Sequence, residues 1–199
     1  MAKLILVRHG ETDKNLQGKM HQAGDEIPLN QTGVEQIKKT AKQLESFSPF
    51  IVYSSQEKRA LESTAIIAQH FGLQVKEIEG MQERDWGEFS GKSWDEVGAI
   101  LDKMSLEERY TYSPLGGESW QAFEGRLVFS IEKLLSKAGD KSVVVVTHMG
   151  AIRALMPFLL DAPKEESFKY EPANASISVF ESEDGKFKAR KINDTRHLS

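Results

Sequence analysis

The chain has 199 residues, 39% hydrophobic and 28% charged, with a net charge of −4. That length fits one domain spanning 1–199 that needs no metal or disulfide to hold a core, and the acidic balance speaks against nucleic-acid binding by bulk electrostatics. No apolar run approaches the length of a membrane span, no secretory pattern precedes Arg8, and cysteine is absent, so the expectations are a cytoplasmic protein without membrane contact and without thiolate chemistry.

Lys3–Val7 is a short apolar run opening onto Arg8-His9-Gly10, which reads as a buried strand ending in a loop. Thr32 precedes a helical pattern (Val34, Ile37, Ala41, Leu44) that stops near Ser48-Pro49. Phe50–Tyr53 is a second strand, after which Ser55 is expected to cap a helix ended by Gly72. Val75–Ile78 is a third strand candidate. Residues 82–119 are less regular and rich in glycine, with a possible helix from Ser93 to Met104, and read as an excursion from the core. A long helix is predicted for Trp120–Ala138.

Ser142–Thr147 holds four consecutive valines, the clearest buried strand. Gly150 starts a helix in which Pro157 kinks or adjusts the path. The tail offers Ser176–Phe180 and Phe187–Ile192, joined at Glu183-Asp184-Gly185 in a hairpin turn. Strands alternating with helices predict an α/β fold: a largely parallel central sheet with helices on both faces, plus the inserted excursion near the active site.

In such sheets the active site lies at the carboxyl ends of the strands. Two histidines sit at such ends, His9 after the first strand and His148 after the valine strand. Arg8-His9-Gly10 combines a cation that binds phosphate oxygens bidentately, an imidazole able to attack phosphorus, and a glycine that lets backbone pass close to a ligand. The helix start at His148, Met149 and Gly150 offers backbone N–H donors to an anion. Either histidine alone reads more simply as a structural one; two at two strand exits suggest a shared anionic site.

LVRHGET (residues 6–12) resembles the signature of the histidine phosphatase superfamily, also called phosphoglycerate-mutase-like, in its small bacterial phosphatase branch. Further motifs follow in order: Asn15; Pro28-Leu29 with Thr32-Gly33; Ser54-Ser55 with Arg59-Ala60 and Thr64-Ala65; Glu83 ahead of Trp86–Gly91; Gly116–Ser119; Thr147-His148 with Gly150; and Asn193-Asp194-Thr195 with His197-Leu198. The resemblance implies that His9 is the nucleophile, that Arg8, Arg59, His148 and Asn15 contact the phosphoryl group, and that Glu83 is the general acid and base. It implies a metal-independent phosphomonoesterase acting on a small phosphorylated metabolite, with no cofactor. A phosphoglycerate mutase with the same nucleophile is the first alternative and a non-catalytic phosphoryl-binding module the second. The mutase is disfavoured because residues 84–147 hold only Arg84, Arg109 and Arg126 as arginines. The segment Gly18-Lys19-Met20-His21-Gln22 departs from the usual run, and Gln22 rather than His21 is taken to face the substrate. The residues do not specify the substrate or the oligomeric state.

Overall fold

The computed structural model describes residues 3–21, 24–47, 50–183 and 186–199; Gln22, Ser48-Pro49 and the Asp184-Gly185 turn lie outside them. Among the described residues, β1 (Lys3–Arg8), β2 (Phe50–Ser54), β3 (Lys76–Glu77), β4 (Ser142–Thr147), β5 (Ile177–Glu183) and β6 (Lys186–Asp194) form one sheet. The order is β3-β2-β4-β1-β5-β6. The first four run parallel, and β5 and β6 add an antiparallel hairpin on the β1 side.

The central strands β1 and β4 are apolar runs because both of their faces are covered. Leu4, Leu6, Val143 and Val145 point to one side and pack under α6 (Trp120–Ala138) and α7 (Met149–Leu160). Ile5, Val7, Val144 and Val146 point to the other, under α2 (Gln31–Leu44) and α3 (Lys58–Phe71). All eight are essentially inaccessible, and burying each such side chain contributes roughly 1.5–3 kcal/mol. The period-two alternation thus fixes the register of β1 against β4, Leu4 beside Val143 through Arg8 beside Thr147.

Three local expectations need correction. Ser55 does not cap α3: the N-cap is Glu57, whose side chain makes no cap bond. Asn30, not Thr32, opens α2, its Oδ1 accepting from the Gly33 N–H at 2.8 Å. The excursion holds two helices rather than one, α4 (Trp94–Leu101) and α5 (Leu106–Thr111), each closed at its start by a serine–glutamate capping box. A short helix α1 (Asp13–Leu16) follows β1. The excursion has its own small core of Met20, Trp86, Phe89 and Val97, and a bridge from Lys19 to Ser93 ties it to the loop after α1.

Candidate active site

The central strands β2, β4 and β1 are neighbours, and their carboxyl ends deliver the candidate residues together. Arg8 ends β1 and His9 follows it. Arg59 sits in the first turn of α3, after β2. His148 follows β4 as the N-cap of α7. The rings of His9 and His148 lie 5.2 Å apart.

His9 is 2% exposed, and its Nδ1 is 2.7 Å from the carbonyl of Gly10. A carbonyl only accepts, so Nδ1 carries the proton and Nε2 keeps the lone pair. Burial, then the charges of Arg59, His148 and Arg8, hold the imidazole well below its ordinary 6.5, with the Gly10 bond pulling weakly the other way. His9 is therefore neutral at neutral pH, the state in which it can attack.

Arg8 is aimed by one bond, Nη1 to the carbonyl of Pro172 at 2.8 Å. Burial pushes it down to about 10, Glu83 partly opposing, and it stays a cation. Arg59 is fully buried, its Nη1 on Asp25 at 2.7 Å and its Nη2 3.7 Å from Glu57. His148 gives its Nε2 to Glu57 at 2.7 Å. Burial alone would raise Glu57, but His148, Arg59 and Ser55 together bring it down to about 2, so it is a carboxylate throughout the physiological range.

Arg8 Nε, Arg59 Nε and Nη2, and His148 Nδ1 are buried and accept or donate no hydrogen bond among the described residues. Buried polar atoms in native proteins are almost always bonded, so a cluster of such nitrogens around a neutral imidazole is a site shaped for an anion.

Glu83 lines the same small cavity as His9. Its Oε1 accepts from the Arg84 N–H at 2.9 Å and its Oε2 from the Gly150 N–H at 3.0 Å. Those bonds set the plane of the carboxyl and leave a second lone pair on each oxygen. They also correct an expectation: the Gly150 N–H is spent on the protein's own carboxylate, so it is not a free donor at the start of α7. Gly10 differs as well. A Cβ there would lie 2.5 Å from the Gly33 carbonyl, so its bareness serves the packing of the His9 loop against α2.

Asn15 belongs to the cavity wall, but its Oδ1 is used by Thr12 and Asn174, leaving only Nδ2 for a ligand. Met149 lines the cavity. Gln22 lies outside the described residues; His21, set aside in its favour, lines the cavity beside His9. Sequence reasoning also missed Glu57, Asp25 and Asn174. His70 and His197 sit elsewhere, on Glu45 and on Thr40 with Ala175.

The cavity at His9 opens past Glu83, Trp86, Trp94 and Met149 into a chamber of about 160 Å³, with Trp120, Phe168, Arg84 and Arg153 deeper in its wall. Trp86 and Trp94 meet edge to face at 5.6 Å and therefore line a pocket as well as pack.

Comparison with known proteins settles the kinship. The sequence matches the histidine phosphatase superfamily (branch 1) over residues 4–195. The chain belongs to that superfamily. It is 33% identical to the uncharacterized phosphatase PhoE of Bacillus subtilis (strain 168), over 100% of this chain and 98% of that one. It is 32% identical to a metal-independent phosphoserine phosphatase of Arabidopsis thaliana, over 100% and 84%. Among solved structures, phosphoserine phosphatase of Entamoeba histolytica superposes with a TM-score of 0.87 at 32% identity in a variant bound to phosphoserine, covering 100% of both chains. Its complex with 3-phosphoglyceric acid gives 0.88 at 31%, again covering 100% of both. The chain is thus an enzyme of the phosphatase kind, and the mutase reading is the less favoured one. Among the described residues, no helix is long and apolar enough to cross a membrane.

Proposed function

We propose that the protein hydrolyses a phosphate monoester through a phosphohistidine on His9. The observation that carries this reading is the set of buried nitrogens of Arg8, Arg59 and His148 without a hydrogen bond among the described residues, around an imidazole held neutral. The Nε2 lone pair of His9 attacks phosphorus as the P–O bond to the leaving group breaks. Arg8, Arg59 and His148 hold the non-bridging oxygens, on which the charge resides throughout. The Glu83 carboxyl gives its proton to the departing oxygen. As carboxylate it then takes a proton from a water whose oxygen attacks phospho-His9, the N–P bond breaks, and phosphate leaves with Glu83 protonated again.

The test is a rapid quench. Wild type and Glu83→Gln should both form an acid-labile, base-stable adduct on His9, and His9→Ala none. Glu83→Gln should slow alkyl esters about 10²–10⁴-fold and p-nitrophenyl phosphate far less, since nitrophenolate leaves unprotonated. Label on His148 instead, or equal slowing of both leaving groups, contradicts these roles.

The chamber beyond Glu83 is placed to receive the leaving group, and its arginines favour one that carries a carboxylate. Arg84 and Arg153 are each tied to backbone carbonyls through Nε and Nη2, leaving Nη1 without a partner among the described residues. Glu83 acts on both from a distance, Glu118 on Arg84 and Glu171 on Arg153, so the Nη1 donors, rather than an uncompensated charge, are what the chamber offers to an anionic ligand. Two single donors fit a carboxylate better than a second phosphate. Arg109 is committed to Asp102 and Arg126 to Glu118, which further disfavours a bisphosphate. Both ligands of the Entamoeba enzyme, phosphoserine and 3-phosphoglyceric acid, carry a carboxylate. Phosphoserine should therefore be turned over with kcat/KM at least about tenfold above phosphoethanolamine, and Arg153→Met should erase that preference while keeping p-nitrophenyl phosphate activity. Equal rates for the two esters in wild type would sink this assignment.

A further inference from the structure

His9 is bracketed by two histidines, and the mechanism above uses only one. On one side stands His148, backed by Glu57. On the other, His21 meets the His9 ring edge-on at 5.9 Å, with its Nδ1 3.1 Å from Asp25 Oδ2. The two histidine–carboxylate pairs come from different parts of the chain and converge on the same imidazole.

A carboxylate only accepts, so Asp25 keeps the proton on His21 Nδ1 and leaves Nε2 with its lone pair. Nε2 faces Thr12 Oγ1 at 3.3 Å and Asn15 Nδ2 at 3.4 Å, both long contacts. His21 and Asn15 line the cavity at His9 together with Arg8, Lys19 and Glu83. Among the described residues, the titratable and charged groups around the ring are thus His9, Asp25, the Arg59 and Lys14 that also contact Asp25, and those three cavity residues. In the ligand-free protein burial outweighs the pull of Asp25, with Arg59 and Lys14 adding to the downward shift, and His21 is neutral at pH 7.

A phosphoryl dianion changes that balance. It brings two negative charges into a buried cavity with the carboxylates of Asp25 and Glu57 just behind. An opposite charge within about 4–6 Å raises the proton affinity of a histidine, typically by 1–3 pH units. We propose that His21 takes up a solvent proton on Nε2 when the phosphoryl dianion binds and donates that N–H to a non-bridging oxygen. Asp25 is then the positioning residue that sets its tautomer. The inference rests on the His9 cavity being the phosphoryl site.

Sulfate is a suitable probe because it stays a dianion across the working range, so any proton taken up on binding goes to the protein. Titration calorimetry near pH 7.5 in buffers of different ionisation enthalpy gives that proton count. Wild type should take up most of one proton per sulfate. His21→Gln, which keeps a polar side chain but cannot titrate, should lose this uptake and bind about tenfold more weakly. Side-chain nitrogen shifts of labelled wild-type histidines give a reading that needs no variant: His21 Nε2 should change from unprotonated to protonated as sulfate saturates. Unchanged uptake in His21→Gln, or an unprotonated His21 Nε2 in the saturated complex, overturns the proposal and leaves the phosphatase reading intact. Failure of sulfate to bind at all overturns both.

Discussion

At His9 a bare lone pair is maintained by its surroundings, and this has a measurable cost in acid. Unfolded, the side chain takes a proton as pH falls through about 6.5; folded, it does not until well below that. The folded state therefore binds fewer protons in that window, and stability falls as pH drops below 6.5. The contribution is fully present above 6.5 and is lost toward the lower folded value. Denaturant unfolding of wild type between pH 7 and 5 should lose up to about 1.4 kcal/mol per pH unit from this group, and His9→Gln should show a shallower decline. Parallel curves would mean that His9 is not held neutral. Glu57 shows the same dependence lower down, from about 4.5 to about 2, and does not confuse the window. His9 and His148 were legible in the sequence because each ends an unmistakably apolar strand. Glu57 and Asp25 were not: among 30 acidic residues, what distinguishes them is His148, 91 residues from Glu57, and Arg59, 34 residues from Asp25, which the sequence does not bring together. His21 lost to Gln22 because a loop without periodicity carries no rule for which side chain turns inward.

The start of α7 shows how an element places chemistry that no strand end could. Its first turn presents a backbone N–H to Glu83, and a Cβ on Gly150 would lie 2.2 Å from Glu83 Oε1. A methyl group there must push the carboxyl aside. Alanine suits a helix's first turn, so Gly150→Ala should leave Tm nearly unchanged. Turnover of alkyl phosphates should fall about 10–10²-fold, with p-nitrophenyl phosphate less affected, the same asymmetry expected of Glu83→Gln. An undiminished rate with alkyl esters would show that Glu83 does not need that position. Elements with a strong period were readable: β1, β4 and α6 lie close to where the apolar pattern puts them. The start of α3 was misread because Ser55 has the chemistry of a cap, yet its hydroxyl is drawn to Glu57 and His148 instead. The excursion defied reading since its core of Met20, Trp86, Phe89 and Val97 is assembled from separate segments with no common period.

For the whole molecule, an acidic chain gathers its buried anion-binding donors in one place. The chain carries −4 overall, yet the carboxyl ends of β2, β4 and β1 gather Arg59, His148 and Arg8 at one point, with Glu57 and Asp25 fixing the orientation of Arg59 and His148 and the Pro172 carbonyl that of Arg8. A metal ion in a phosphatase would neutralise the non-bridging oxygens and generate a nucleophile from water. In the proposed mechanism the guanidiniums of Arg8 and Arg59 take over the first task and the imidazole of His9 the second, without a water-derived nucleophile in the first step. Activity on p-nitrophenyl phosphate should consequently be the same, within error, before and after exhaustive treatment with a strong chelator, and added magnesium or zinc should not raise it. The comparison should be made at constant ionic strength, because screening weakens the attraction between a cationic cavity and a dianion and would mimic a loss. A rate that collapses in chelator and returns with one divalent ion would place the nucleophile on a metal-bound water and remove His9 from the reacting centre.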